Sequence, residues 1–206
     1  MNISELNTGD ILLFSERGNC FASMVERCTR SKYSHVAMVL KNPTYIDSKL
    51  KGHYLLESTF EVPPDAVDHK KKFGVQIQEL NSRIRDFNGN IYWRKLNCER
   101  TEQFYNKLAR VYDEVKGILY DTNPIDWFKA AFKINLGNVH KTNTFWCSAL
   151  LAYMYVQFGF LPETIPWTII SPVEFSDRGD MNDRFIKCNL EPEKLFTYIP
   201  NSYTIL

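Results

Sequence analysis

Phe145-Trp146-Cys147-Ser148-Ala149-Leu150-Leu151-Ala152-Tyr153-Met154-Tyr155-Val156-Gln157-Phe158-Gly159 is the stretch from which the architecture is read. It is apolar nearly all round, so a helix made of it belongs at the centre of the molecule rather than on its surface. Gly159 marks its end, because glycine readily takes the left-handed conformation that closes a helix. The run is too short to span a bilayer and carries Gln157 and several tyrosines. Upstream lies a polar loop over 137–144, in which Asn143 or Thr144 can cap the helix start. Cys147 therefore stands at the helix N-terminus, where unpaired backbone N–H groups and the positive end of the dipole favour thiolate over thiol. Position alone would still leave it a small core hydrophobe, as free cysteines commonly are.

Working outward, the first half of the chain reads as strands. Asn7-Thr8-Gly9-Asp10 is a turn composition, and Ile11-Leu12-Leu13-Phe14 is a short continuous apolar run suited to a buried strand. His35-Val36-Ala37-Met38-Val39-Leu40 is a second such run, ended by Asn42-Pro43, so His35 opens a strand. Tyr54-Leu55-Leu56-Glu57-Ser58-Thr59-Phe60 is a third, with Glu57 inside it. Phe73 to Leu80 alternates at period two, and Asn90-Ile91-Tyr92-Trp93-Arg94 follows the Asn88-Gly89 turn signal. An antiparallel sheet is the simplest arrangement of these pieces.

Helical spacing appears elsewhere. Asn19 caps a helix carrying Phe21, Met24, Val25 and Cys28. Phe104, Leu108, Val111, Tyr112 and Val115 form an apolar stripe that stops near Gly117, and Asn123-Pro124 opens a helix through Trp127, Ala130 and Ala131. No repeat, low-complexity tract or linker divides the strand-rich half from the helix-rich half. The expected fold class is α+β, one domain over residues 1–206, with an antiparallel sheet packed against the central helix.

With 25 Lys and Arg against 24 Asp and Glu in 206 residues, the formal net charge of +1 gives no field for a general phosphate-backbone binder. Nucleic acid is not the expected partner. The dense basic cluster His69-Lys70-Lys71-Lys72 reads as a solvated loop. Five cysteines are an odd number with no CxxC pair, in a chain large enough to need no staple, which points to reduced thiols. The first residues show neither a basic flank nor a long apolar run, so a cytoplasmic protein is expected.

Three residues acquire meaning together. A thiol nucleophile needs a base, and the base needs a third group to accept from its other ring nitrogen, fix its tautomer and stabilise the imidazolium. His35, opening one strand, and Glu57, within the next, supply those chemistries to Cys147. Taken singly, His35 is a satisfied strand-edge histidine and Glu57 an outward-facing strand residue. Cys20, Cys28, Cys98 and Cys188 lack a helix-start context and read as packing or surface residues. His53, His69 and His140 sit in polar loops. No ligand-pair spacing for zinc is present, and neither a metal nor a cofactor is expected.

The set Thr8-Gly9-Asp10-Ile11-Leu12-Leu13-Phe14, Ser34-His35-Val36-Ala37-Met38-Val39, Leu56-Glu57-Ser58 and Phe145-Trp146-Cys147-Ser148-Ala149-Leu150 resembles the YaeF/YiiX branch of permuted, papain-like (NlpC-like) cysteine enzymes, which includes poxviral members. Ile170-Ser171-Pro172-Val173-Glu174-Phe175 resembles the segment after the nucleophile helix in that branch. The order His, acid, Cys is the mark of the circular permutation. The resemblance implies Cys147 as nucleophile, His35 as base and then acid, and Glu57 as third member. It also implies an acyl-enzyme route on an amide, ester or thioester by a hydrolase or acyltransferase. Lipids and peptide-like amides are the substrates it suggests, and a lipid substrate would bring a peripheral membrane contact. Tyr33 and Trp146 are expected to contact substrate, although aromatic packing is their commoner role. Trp127, Phe128, Phe132, Trp146 and Trp167 are candidates to line an apolar acyl cleft. Two other expectations stand beside the enzyme: a lipid- or peptide-binding module with little turnover, and a viral or host-interaction protein that uses the fold as a scaffold.

Overall fold

The computed structural model describes residues 2–16, 31–60, 64–122 and 140–196. The helices expected over 19–28 and 123–131 lie outside these residues, together with Cys20, Cys28, Trp127, Phe128 and Phe132. The strands are β1 (Ile11–Glu16), β2 (His35–Lys41), β3 (His53–Thr59), β4 (Gly74–Glu79) and β5 (Gly89–Arg94), each within two residues of its sequence-based bounds. They form an antiparallel sheet with a sixth strand, β10 (Lys194–Phe196), in the order β10-β5-β1-β2-β3-β4. The edge strand β10 is only three residues long and gave no period to read.

Strand alternation divides the apolar residues between two faces. Ile11 and Leu13 of β1, Val36, Met38 and Leu40 of β2, and Leu56 of β3 enter the larger core, with helices α2 (Glu102–Val115) and α3 (Cys147–Phe158). Leu12, Phe14, Ala37, Val39 and Leu55 enter a smaller core, completed by Leu80 and Ile84 of the short helix α1 (Leu80–Arg85). Helix α3 is buried along nearly its whole circumference, and Gly159 closes it with φ of 76°. Its first residue is Cys147, but the N-cap is Trp146 and no side chain caps it. Thr144, an expected cap, instead donates its hydroxyl to Asp121 at 3.0 Å and sits in β8 (Thr144–Phe145), beside β7 (Leu119–Tyr120).

Asp10 explains why the Thr8-Gly9-Asp10 turn is where it is. Its wholly buried carboxylate accepts from the Asn7 and Leu96 backbone amides, the Trp93 indole N–H and the Arg100 guanidinium, all at 3.0 Å. Gly9 beside it accepts the Tyr155 hydroxyl of α3 at 2.7 Å, which joins the turn to the central helix. Gly74 starts β4 with φ of 125°, and a Cβ there would lie 2.0 Å from the Ile118 carbonyl, so only glycine lets β4 approach the end of α2.

In the basic loop, Lys72 is not left to solvent: it pairs with Asp65 at 3.2 Å and Asp68 at 3.0 Å, while Asp65 also accepts from the Ile77 amide. A further two-stranded ladder, β6 (Leu96–Asn97) with β9 (Asn189–Leu190), ties the late chain back to the sheet. Among the described residues no helix is long and apolar enough to cross a membrane.

Candidate active site

His35 is the first residue of β2, paired across the ladder with Phe14 and in ring contact with it at 5.4 Å. That places the imidazole at the end of the sheet, where side chains of the smaller core can meet groups of the larger one. Glu57 shares the parity of Leu55, so it points to the same side as His35. Its Oε2 is hydrogen-bonded to His35 Nε2, which leaves Nδ1 for the Cys147 thiol, the second hydrogen-bond partner of the ring. The backbone N–H groups of Val36 and Ser148 also donate to the Cys147 sulfur. Three residues far apart in the chain thus converge in one hydrogen-bonded row: carboxylate, imidazole, thiol.

Electrostatics follow from this placement. Burial by itself would raise the Cys147 pKa, but the His35 charge and the hydrogen bonds from His35, Val36 and Ser148 bring it below the ordinary thiol value. Burial would depress His35, yet Cys147 and Glu57 on either side lift it to about 10. Between those two limits the thiolate–imidazolium pair is the populated form. Glu57 is 1% exposed; burial pushes its pKa up, and Arg83 first and then His35 pull it below the usual carboxylate range.

Arg83 is a member of this group that sequence reasoning missed. It sits on α1, with Nε 3.5 Å from Glu57 Oε1, and its guanidinium lies over the rings of Phe14 at 5.3 Å and Phe87 at 5.7 Å. Helix α1 follows β4 without a break in the sequence pattern; only the Leu80 and Ile84 pair, four residues apart, hints at it. Tyr120 of β7 was missed as well: burial, followed by the nearby Cys147 and Asp121, keeps its phenol protonated far above the usual tyrosine range.

Phe145 and Ser148 show how the chain aims Cys147. The Ser58 hydroxyl donates to the Phe145 carbonyl at 2.6 Å, and the Ser148 hydroxyl donates to the Ile170 carbonyl at 2.7 Å. One bond locks the helix start to β3 next to Glu57, and the other locks it to the Ile170-Ser171-Pro172 segment. Trp146 is 6% exposed, and its indole N–H is buried without a hydrogen-bond partner among the described residues. Tyr33 is buried and meets Tyr92 edge-on at 5.6 Å. Burial first, then the Glu193 carboxylate, hold its phenol protonated, and Lys32 bridges to Glu193 at 3.2 Å. Trp167 serves packing: its indole N–H donates to the Lys141 carbonyl at 2.7 Å and its ring meets His140 and Tyr153.

Neither a family profile nor a curated protein matches the sequence. Among solved structures, the crystal structure described as the metalloprotein YiiX from Escherichia coli O157:H7 is similar, at 15% identity and a TM-score of 0.50. The similarity covers 94% of this chain and 97% of that one. The likeness is one of fold: the chain is a mixed α/β protein with an antiparallel sheet.

Proposed function

We propose that the chain is a thiol hydrolase or acyltransferase of the permuted papain-like kind, one domain over residues 1–206, acting on an amide, ester or thioester. The observation that carries this is the buried row Glu57–His35–Cys147, with the thiol at the start of a helix and its pKa lowered by the imidazolium. The order His35, Glu57, Cys147 along the chain, with the nucleophile helix last, supports the permuted form, as does the YiiX-like fold.

In this reading the Cys147 thiolate attacks the substrate carbonyl carbon. The carbonyl oxygen takes up the negative charge near the Cys147 backbone N–H, which has no intrahelical acceptor at the first helical position. The buried Trp146 indole N–H, adjacent in the chain and without a hydrogen-bond partner among the described residues, is the second donor proposed for substrate. His35 passes its proton to the departing amine, alcohol or thiol, leaving a thioester on Cys147. It then removes a proton from water or another acceptor, which attacks the thioester and releases Cys147. Glu57 stays ionised throughout and holds the ring. Lipid or peptide-like acyl compounds are the proposed substrates.

YiiX is described as a metalloprotein. In this chain both oxygens of Glu57 are already engaged, by His35 and Arg83, and both ring nitrogens of His35 by Glu57 and Cys147. Among the described residues no three His, Cys, Asp or Glu side chains gather as a donor set. The described residues do not fit a resident metal.

The direct test is labelling with iodoacetamide across pH, read residue by residue by mass spectrometry. Cys147 should react first, with a rate that already levels off below the ordinary thiol pKa of about 8.5. If Cys147 reacts no faster than Cys98 and Cys188, and only at ordinary thiol pKa, the proposal fails. A second measurement concerns Arg83→Met. With the guanidinium gone, burial of Glu57 is opposed by His35 alone, so the carboxyl pKa rises. The acid limb of the labelling profile should move to higher pH, with a rate loss of roughly 10-fold below it. Arg83→Lys should restore part of both, and an unmoved acid limb would reduce Arg83 to a packing residue.

A further inference from the structure

Cys98 and Cys188 stand outside the row of Cys147, His35 and Glu57, and each lies one residue beyond the paired positions of the β6–β9 ladder. Leu96 pairs with Leu190 and Asn97 with Asn189. The ladder ends there, and the same antiparallel register continued by one residue would set Cys98 against Cys188. The Glu191 amide donates to the Lys95 carbonyl at 2.8 Å, which makes that rung a hydrogen-bonded one. Alternation along the ladder then makes Leu96 with Leu190 a non-hydrogen-bonded rung, and Cys98 with Cys188 would be the next of that kind. Such rungs hold their Cα atoms about 4.5 Å apart with side chains drawn together, inside the roughly 4.4–6.8 Å that a disulfide spans.

Face agrees with register. Leu96 and Leu190 both enter the larger core, and Cys98 and Cys188, two residues along each strand, are both half-buried against that same core. The two thiols therefore share one side of the ladder, beside Tyr155 of α3. Tyr155 is two helical turns from Cys147, roughly 12 Å along the axis, so this pair and the candidate nucleophile are separate.

We propose that Cys98 and Cys188 form a cross-strand disulfide site, closed by a small-molecule or protein disulfide oxidant. With oxidised glutathione, the Cys98 thiolate attacks one glutathione sulfur and expels the other half as a thiolate. The Cys188 thiolate then attacks the Cys98 sulfur of the mixed disulfide and expels the second. Two electrons pass from the cysteine pair to glutathione, and the two thiol protons end on the released glutathione. Cys98 goes first because Arg100 beside it partly offsets its burial, whereas burial and the neighbouring Cys98 push Cys188 up to about 12. Closure is correspondingly slow, and the closed bond resists reduction, since both sulfurs are poor leaving groups.

The test incubates the full native chain with oxidised glutathione, blocks remaining thiols, and maps disulfides in a non-reducing digest. The expected product is a Cys98–Cys188 linked peptide, lighter by two hydrogens, with Cys147 unlinked. The oxidised protein should melt higher than the reduced one by about 5–10 °C, the stabilisation expected of a long closed loop in a chain of this size. Cys188→Ser should stop at glutathionylated Cys98. A native protein that yields no Cys98–Cys188 peptide, or yields it no more often than pairs involving Cys147, overturns the proposal. The outcome is independent of whether Cys147 turns over substrate.

Discussion

Replacing His35 with alanine is expected to slow iodoacetamide labelling of Cys147 at neutral pH by about 30- to 1,000-fold, and any turnover by at least as much. The size of the effect is set by what remains around the sulfur. In the native row, the imidazolium is the largest influence opposing burial, and it brings the thiol below its ordinary pKa. Without it, the Val36 and Ser148 backbone N–H groups are what still opposes burial among the described residues, and burial pushes the pKa to the ordinary thiol value or above. At neutral pH the thiolate fraction then falls to a few per cent or less. The sign of the pH dependence distinguishes this from simple damage. In the alanine variant the rate should climb steadily through the alkaline range and approach the native plateau there. In the native chain it should be flat until His35 itself loses its proton, near 10. A variant that labels within a few-fold of the native rate at neutral pH would show that His35 does not activate Cys147.

Asp10→Ala is expected to cost about 3–5 kcal/mol of stability. The carboxylate is the common acceptor for two backbone amides, an indole and a guanidinium, and its removal strands all of them in a buried place. Burial raises the Asp10 pKa, and the Asn7 and Leu96 amides, Trp93 and Arg100 act against it, so the carboxylate depends on all its partners at once. Arg100 retains the Thr8 carbonyl at 2.7 Å and the Leu96 carbonyl at 2.9 Å, which limits but does not remove the cost. For a chain of this size the loss corresponds to a fall in Tm on the order of 10 °C, measured by thermal unfolding. Asp10→Asn should also be clearly destabilised, because its amide N–H group would face donors where the carboxylate accepts. A fall of only a degree or two in the alanine variant would mean that the Thr8-Gly9-Asp10 turn is held by packing rather than by this acceptor.

The elements that were legible are those whose own residues carry a period. β1, β2 and β3 are dense apolar runs, and α3 is apolar all round and closed by a glycine, so each was bounded from the sequence to within two residues. Elements stabilised by something distant were not. Helix α1 is too short to display a helical repeat and exists because Leu80 and Ile84 have a second core to fill. β7, β8 and β9 are two residues each, and β10 is an edge strand held by β5. The helix cap failed for the same reason: Thr144 has a better partner in Asp121, which no local rule could anticipate.

The same boundary runs through the candidate site. From its own residues the sequence determined that a thiol would begin a buried helix, that a histidine would open a strand, and that a carboxylate would lie within the next, because local period and punctuation set those positions. Only the tertiary structure decided that they meet. The Phe14–His35 register, the parity that turns Glu57 to the same side, and the Ser58 and Ser148 hydroxyl bonds that aim the helix start are all contacts between segments far apart in the chain. It also decided that Arg83 would lie behind Glu57 and that the Leu96–Leu190 ladder would bring the flanking segments of Cys98 and Cys188 together. Such contacts are set by strand register and by how two cores fill, and a one-residue slip would send the same side chains to the other face, so no local pattern encodes them.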